Sequence, residues 1–162
     1  MEFDEQLHTI INDHYTWKPI TGLSEYDKYK SIAQTGINLV DDLNHNVLYK
    51  SNAKQLARIA DAFRETMELY NPEKKYIHSL INLLIRKNHD YGSSFAKVAL
   101  ALGTIPTFSV RFLDKCNRLN NLLKDNENNL VADESLTDTV NDLLGYYVLC
   151  SIMLKYKRYY EK

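Results

Sequence analysis

An all-α fold, a helical bundle of about six to seven helices, is what this sequence predicts. Only 3 prolines and 5 glycines interrupt its 162 residues, which leaves long unbroken segments and few hairpin signals. Along most of those segments apolar residues recur at three- and four-residue steps, the period of one helix face. The length suits a single well-packed core and is short for two ordinary domains.

The first helix, roughly Phe3 to His14, ends before Trp17-Lys18-Pro19, because proline forces the preceding residue out of the helical region. A turn-rich stretch follows through Gly22. From Ser24 to about Leu43, Tyr26, Tyr29, Ile32, Ala33, Ile37 and Val40 keep helical spacing, while Gly36 weakens the middle. This is a helix or a broken helix. Ser51 to Tyr70 reads more cleanly, with Leu56, Ile59, Ala60, Phe63 and Met67 on one stripe and Asn71-Pro72 as its stop. Glu73 to Asn88 places Ile77, Leu80, Ile81, Leu84 and Ile85 on one face, and Pro72 suits its first turn. A shorter helix through Phe95 to Leu102 ends at the C-cap Gly103. Pro106 then precedes a strong helix from about Phe108 to Lys124. After the polar loop Asp125-Asn126-Glu127-Asn128-Asn129, a final helix runs from about Glu134 into the tail. Residues 1–70 read as a helical N-terminal extension packed on, or contributing to, the same domain as the motif-bearing residues 71–162.

With 20 Lys+Arg against 21 Asp+Glu the net charge is −1, so no overall field attracts nucleic acid or anionic lipid. Any phosphate binding must come from a local cluster. The N-terminus has no basic and apolar leader pattern, and no stretch stays apolar for the ~18 to 20 residues of a membrane span. A soluble, cytoplasmic protein is expected. Cys116 and Cys150 lie in apolar-patterned segments and read as buried free thiols. The five histidines show no zinc-type spacing, and no P-loop, dinucleotide fingerprint or nucleophile elbow is present.

Three features carry possible chemistry. In the last helix Glu134, Asp138 and Asp142 are spaced by four on one side, with Leu136, Val140, Leu143 and Tyr147 on the other. Carboxylates one turn apart can converge on Mg²⁺, which binds one or two carboxylates together with phosphate oxygens and water. A well-capped helix start is the alternative, with Asp133 as N-cap, Glu134 at the positive helix end and Ser135 with Asp138 at capping-box spacing. In the preceding helix Arg111, Asp114, Lys115 and Arg118 border the stripe Phe108, Phe112, Cys116, Leu119 and Leu123. These cations either hold a polyphosphate or make ordinary three- and four-residue ion pairs. The third feature is the turn Lys87-Asn88-His89-Asp90-Tyr91-Gly92-Ser93-Ser94. Here a left-handed Gly92 and the following helix start could receive phosphate while Tyr91 stacks on a base. The bland alternative is a helix-turn-helix joint with Gly92 as C-cap and Ser93 as N-cap.

Read in order, Lys87-Asn88-His89-Asp90-Tyr91-Gly92, Arg111-Phe112-Leu113-Asp114-Lys115-Cys116-Asn117-Arg118-Leu119 and Asp133-Glu134-Ser135-Leu136-Thr137-Asp138 through Asp142 to Tyr146 resemble the family called nucleotide modification associated domain 1. That family is common in phages and prophages, and the resemblance runs from near Ile77 to Leu154. The family is in turn similar to the all-α nucleoside triphosphate pyrophosphohydrolases of the MazG and dimeric dUTPase type. The resemblance implies a magnesium-dependent enzyme acting on a nucleotide or deoxynucleotide. Glu134 and Asp138 would be catalytic, and Glu134, Asp138 and Asp142 would hold the metal. Lys87, Asp90, Tyr91, Arg111, Lys115 and Arg118 would bind substrate. By the same analogy a homodimer or tetramer is expected; residues 1–70, outside the resemblance and without a recognised motif, could be a partner-binding or oligomerisation element. One departure stands out: the second acidic helix of the pyrophosphohydrolases is replaced by the basic run Arg111 to Arg118. Either cations grip phosphate beside a single metal site, or the domain is a non-catalytic module that sequesters a nucleotide or binds a protein.

Overall fold

The computed structural model of the chain describes residues 2–15, 18, 20–71, 73–90, 93–125 and 134–160, with the backbone alone at 90, 125, 134 and 157–160. Seven α-helices make up most of it: α1 (Phe3–His14), α2 (Glu25–His45), α3 (Asn52–Tyr70), α4 (Lys74–Asp90), α5 (Ser94–Leu102), α6 (Thr104–Asp125) and α7 (Glu134–Tyr160). A 3-10 turn, Val47–Tyr49, joins α2 to α3, and no strand occurs among the described residues. The all-α bundle is as the sequence predicts. None of these helices is long and apolar enough to cross a membrane.

Local chemistry sets the ends. The Ser24 hydroxyl accepts the Asp27 N–H at 3.1 Å and starts α2, and the Ser51 hydroxyl accepts the Lys54 N–H at 3.3 Å and starts α3. Asn71 turns left-handed (φ 53°) to close α3, its N–H donating to the Met67 carbonyl at 2.9 Å.

Two local features differ from expectation, and of the two alternatives for α2 one is realised. Helix α6 begins at Thr104, so Pro106 lies inside its first turn instead of ahead of it. First-turn N–H groups have no intrahelical acceptor, and a proline there forfeits nothing. The Gly103 N–H donates to Ala99 O at 2.8 Å to finish α5, while its carbonyl accepts the Thr107 N–H at 3.2 Å in α6. At the joint between α4 and α5, Ser93 is itself left-handed (φ 58°) and its side chain makes no cap bond. Finally, α2 runs unbroken through Gly36. A Cβ on Gly36 would stand 2.5 Å from Cys116 Sγ and 2.6 Å from Phe112 Cε1. Glycine is there so that α2 and α6 can touch.

Helices α6 and α7 form the centre. Phe108, Phe112, Cys116, Leu119 and Leu123 of α6 and Leu136, Val140, Leu143 and Tyr147 of α7 are all buried. The Tyr147 ring lies 4.8 Å from Phe112 and 6.0 Å from Phe63 of α3, both near edge-on. Its hydroxyl shares a 3.1 Å hydrogen bond with the buried Thr66 hydroxyl. Leu7, Ile10 and Ile11 of α1 and Ile32 and Leu39 of α2 complete the same core. Arg58 pairs with Asp42 at 2.8 Å across α3 and α2, and Lys155 with Asp13 at 3.3 Å across α7 and α1. Both cysteines are buried free thiols, and burial pushes Cys116 up to about 12.

Candidate ligand-binding site

Between α4, α5, α6 and α7 lies a cavity of about 520 Å³, within the ~300–1,000 Å³ usual for small-ligand sites. Its apolar part is formed by Leu84, Gly145 and Leu149. A Cβ on Gly145 would meet Leu84 Cδ2 at 2.8 Å, so α7 comes close to α4 at that point. The stripe of α7 that carries the acids therefore passes into the bundle through small and apolar side chains. Beside it stand two rings, Phe95 of α5 and Tyr146 of α7, with centroids 6.1 Å apart and planes inclined by 34°. The Arg111 guanidinium carbon is 5.6 Å from the Phe95 centroid, within cation–π range.

Besides Arg111 of α6, the polar lining comes from three helices. Asn88 ends the basic stretch of α4, Ser94 opens α5, and Asn141 and Asp142 project from α7. The Tyr76 hydroxyl of α4 donates to Asn141 Oδ1, which leaves the Asn141 amide hydrogens as donors. Burial, with Tyr70 alongside, raises the Tyr76 phenol above its ordinary range and keeps that donor protonated. Asp142 is bracketed by two cations: Oδ1 accepts from Lys87 Nζ at 2.9 Å, and Oδ2 faces Lys115 Nζ at 3.1 Å. A single carboxylate thus ties α7 to both α4 and α6. The Asp142 side chain is 25% exposed and the lysines 41% and 31%, so the bridge is partly withdrawn from water and less screened than a surface pair.

Of the residues singled out from the sequence, Lys87, Arg111, Lys115 and Asp142 come together here. Asp138 and Arg118 are exposed and do not line the cavity. Among the described residues no ion pair links Arg111, Asp114 and Arg118; Lys115 turns to Asp142 instead. The side chains of Asp90 and Glu134, and Tyr91 and Gly92 entirely, lie outside the described residues. No three side chains suited to a metal ion come together among those described. The sequence reading gave Tyr146, Asn141 and Asn88 no role at the site. Tyr146 stands one turn beyond Asp142, and that spacing was the available signal.

The fold and the cavity define a class: an all-α bundle with a cation-rimmed, aromatic-walled pocket among its last four helices. Residues 87–154 match the model of the family described as nucleotide modification associated domain 1. The matched segment starts ten residues after Ile77 and contains every cavity-lining residue except Leu84. No curated protein and no solved structure matches the chain.

Proposed function

We propose that this protein binds a nucleotide or deoxynucleotide in the cavity between α4, α5, α6 and α7. One observation carries the reading: two aromatic rings, Phe95 and Tyr146, share a single pocket with the cations Lys87 and Arg111. A nucleotide needs both, a planar surface for its base and positive charge for its phosphate. The Asn141 amide and the Asn88 and Ser94 side chains supply polar partners for base or sugar edges. The match of residues 87–154 to a nucleotide-associated family supports the same choice.

The donor set does not fit a magnesium ion as it is arranged. Both Asp142 oxygens face ammonium groups, and Asp138, one turn earlier in α7, is exposed and does not line the cavity. The proposal therefore rests on this chain's cations and rings and takes no step through a metal. Binding is tested by a thermal-shift and calorimetric panel of ribo- and deoxynucleotides. We expect stabilisation that grows with the logarithm of ligand concentration and is lost in Arg111→Ala. A flat response to the whole panel rejects the reading.

Hydrolysis is the second reading, favoured by Asp138 lying one turn before Asp142 on the helix side that begins at Glu134. Release of pyrophosphate from a nucleoside triphosphate, assayed with and without magnesium and abolished by Asp138→Ala, would establish it. Nucleotide recovered intact leaves binding alone.

A further inference from the structure

We infer that the cavity is charge-matched to a nucleotide bearing a single phosphate, and that Asp142 sets this match. The inference deepens the nucleotide reading and rests on it. Lys87 and Arg111 line the cavity, Lys115 adds a third positive charge at its edge through its contact with Asp142, and Asp142 offsets one of the three through its two lysine contacts. The rim is left with two net positive charges. A phosphate monoester carries about −1.5 to −2 at neutral pH, so one such group balances the rim. A triphosphate brings further negative charge, and among the described residues no other cation lines the cavity.

Asp142 also acts as a built-in competitor. Because each of its oxygens holds one lysine, an entering phosphate shares Lys87 with a fixed carboxylate, which Lys115 holds from its other oxygen, instead of meeting a free ammonium group. Every additional ligand phosphate is then placed near that carboxylate, where like charges repel across partly desolvated distances. A monophosphate lodged at Lys87 and Arg111 keeps its remaining surface on Phe95 and Tyr146. The longer polyphosphates do not.

The test is calorimetric binding of one nucleoside as its unphosphorylated, mono-, di- and triphosphate forms, without added metal. The wild-type protein is expected to bind the monophosphate most tightly, by about tenfold over the triphosphate, the size of effect that a nearby unit charge produces. Asp142→Asn raises the rim to three net positive charges, and the preference should move toward the di- and triphosphate. If that variant melts well below wild type, Lys115→Gln serves in its place: it lowers the rim to one charge and should weaken the monophosphate relative to the bare nucleoside. Tighter binding of the triphosphate by the wild type, or an unchanged ratio in the substituted proteins, overturns the charge match while leaving the nucleotide reading intact. No binding of any of the four ligands removes both.

Discussion

His14 shows how one side chain at the end of α1 can make the whole fold sensitive to acid. It is only 7% exposed, its ring lies 5.8 Å from that of Phe63, and its Nδ1 has no hydrogen-bond partner among the described residues. Burial chiefly, then the nearby Arg64, holds the imidazole down at about 4 from 6.5, with Asp13 and Asp61 pulling the other way and Lys155 adding to the depression. The unfolded chain takes up a proton below about pH 6.5 that the native state refuses until about 4, so stability is full at neutral pH and falls through that window. The loss should reach about 2 kcal/mol, less than the full shift implies, because the charged neighbours reach solvent. Urea midpoints measured near neutrality and at about pH 4.5 should separate in wild type and converge in His14→Leu. Equal pH slopes for the two proteins would show that His14 is not the titrating group.

At the level of elements, the decisive contact is the crossing of α2 over α6. Gly36→Ala would gain roughly 1 kcal/mol of helix propensity in isolation. In the fold, the new methyl meets Cys116 Sγ and Phe112 Cε1 at 2.5 and 2.6 Å, inside two fully buried side chains. Overpacking of that kind costs ~1–3 kcal/mol, so the substitution should lower stability in a denaturant titration. A more stable variant would mean that the helices part without penalty. Gly145→Ala is the control, since its single close neighbour among the described residues is the flexible end of Leu84. The same contrast explains what the sequence reveals and what it hides. Helix starts such as those at Ser24 and Ser51, and the stripes of α6 and α7, are legible because their partners lie within a turn or two. Gly36 reads as a weakness because its reason sits in Phe112 and Cys116, far along the chain. At the site, Lys87, Lys115 and Asp142 each stand out as chemistry-bearing residues. That they form one bridge depends on how three helices pack, which no local spacing encodes. Pro106 misleads for another reason: a proline marks a helix start only to within the few first-turn positions that tolerate it.

For the molecule as a whole, the cavity lies in α4–α7, yet the helices that shape it are supported from outside that segment. The buried stripe of α6 rests on α2 at Gly36, Tyr147 of α7 packs on Phe63 and bonds Thr66 of α3, and α1 seals the bundle with Leu7, Ile10 and Ile11. Burying each of these large apolar side chains contributes roughly 1.5–3 kcal/mol. Half a dozen of them, counting Ile32, Leu39 and Phe63, are comparable to the ~5–15 kcal/mol net stability of an entire domain. Residues 71–162 expressed alone should therefore keep helical signal in far-ultraviolet circular dichroism but show no cooperative melt, and no nucleotide should shift what transition remains. The reasoning is that α6 and α7, stripped of α2 and α3, expose Phe112, Cys116 and Tyr147 to water and lose the fixed spacing that places Lys115 against Asp142. Calorimetry of the fragment decides the matter. A cooperative transition with nucleotide-dependent stabilisation would show that α4–α7 fold and bind independently, and that residues 1–70 are an appendage to the site instead of its scaffold.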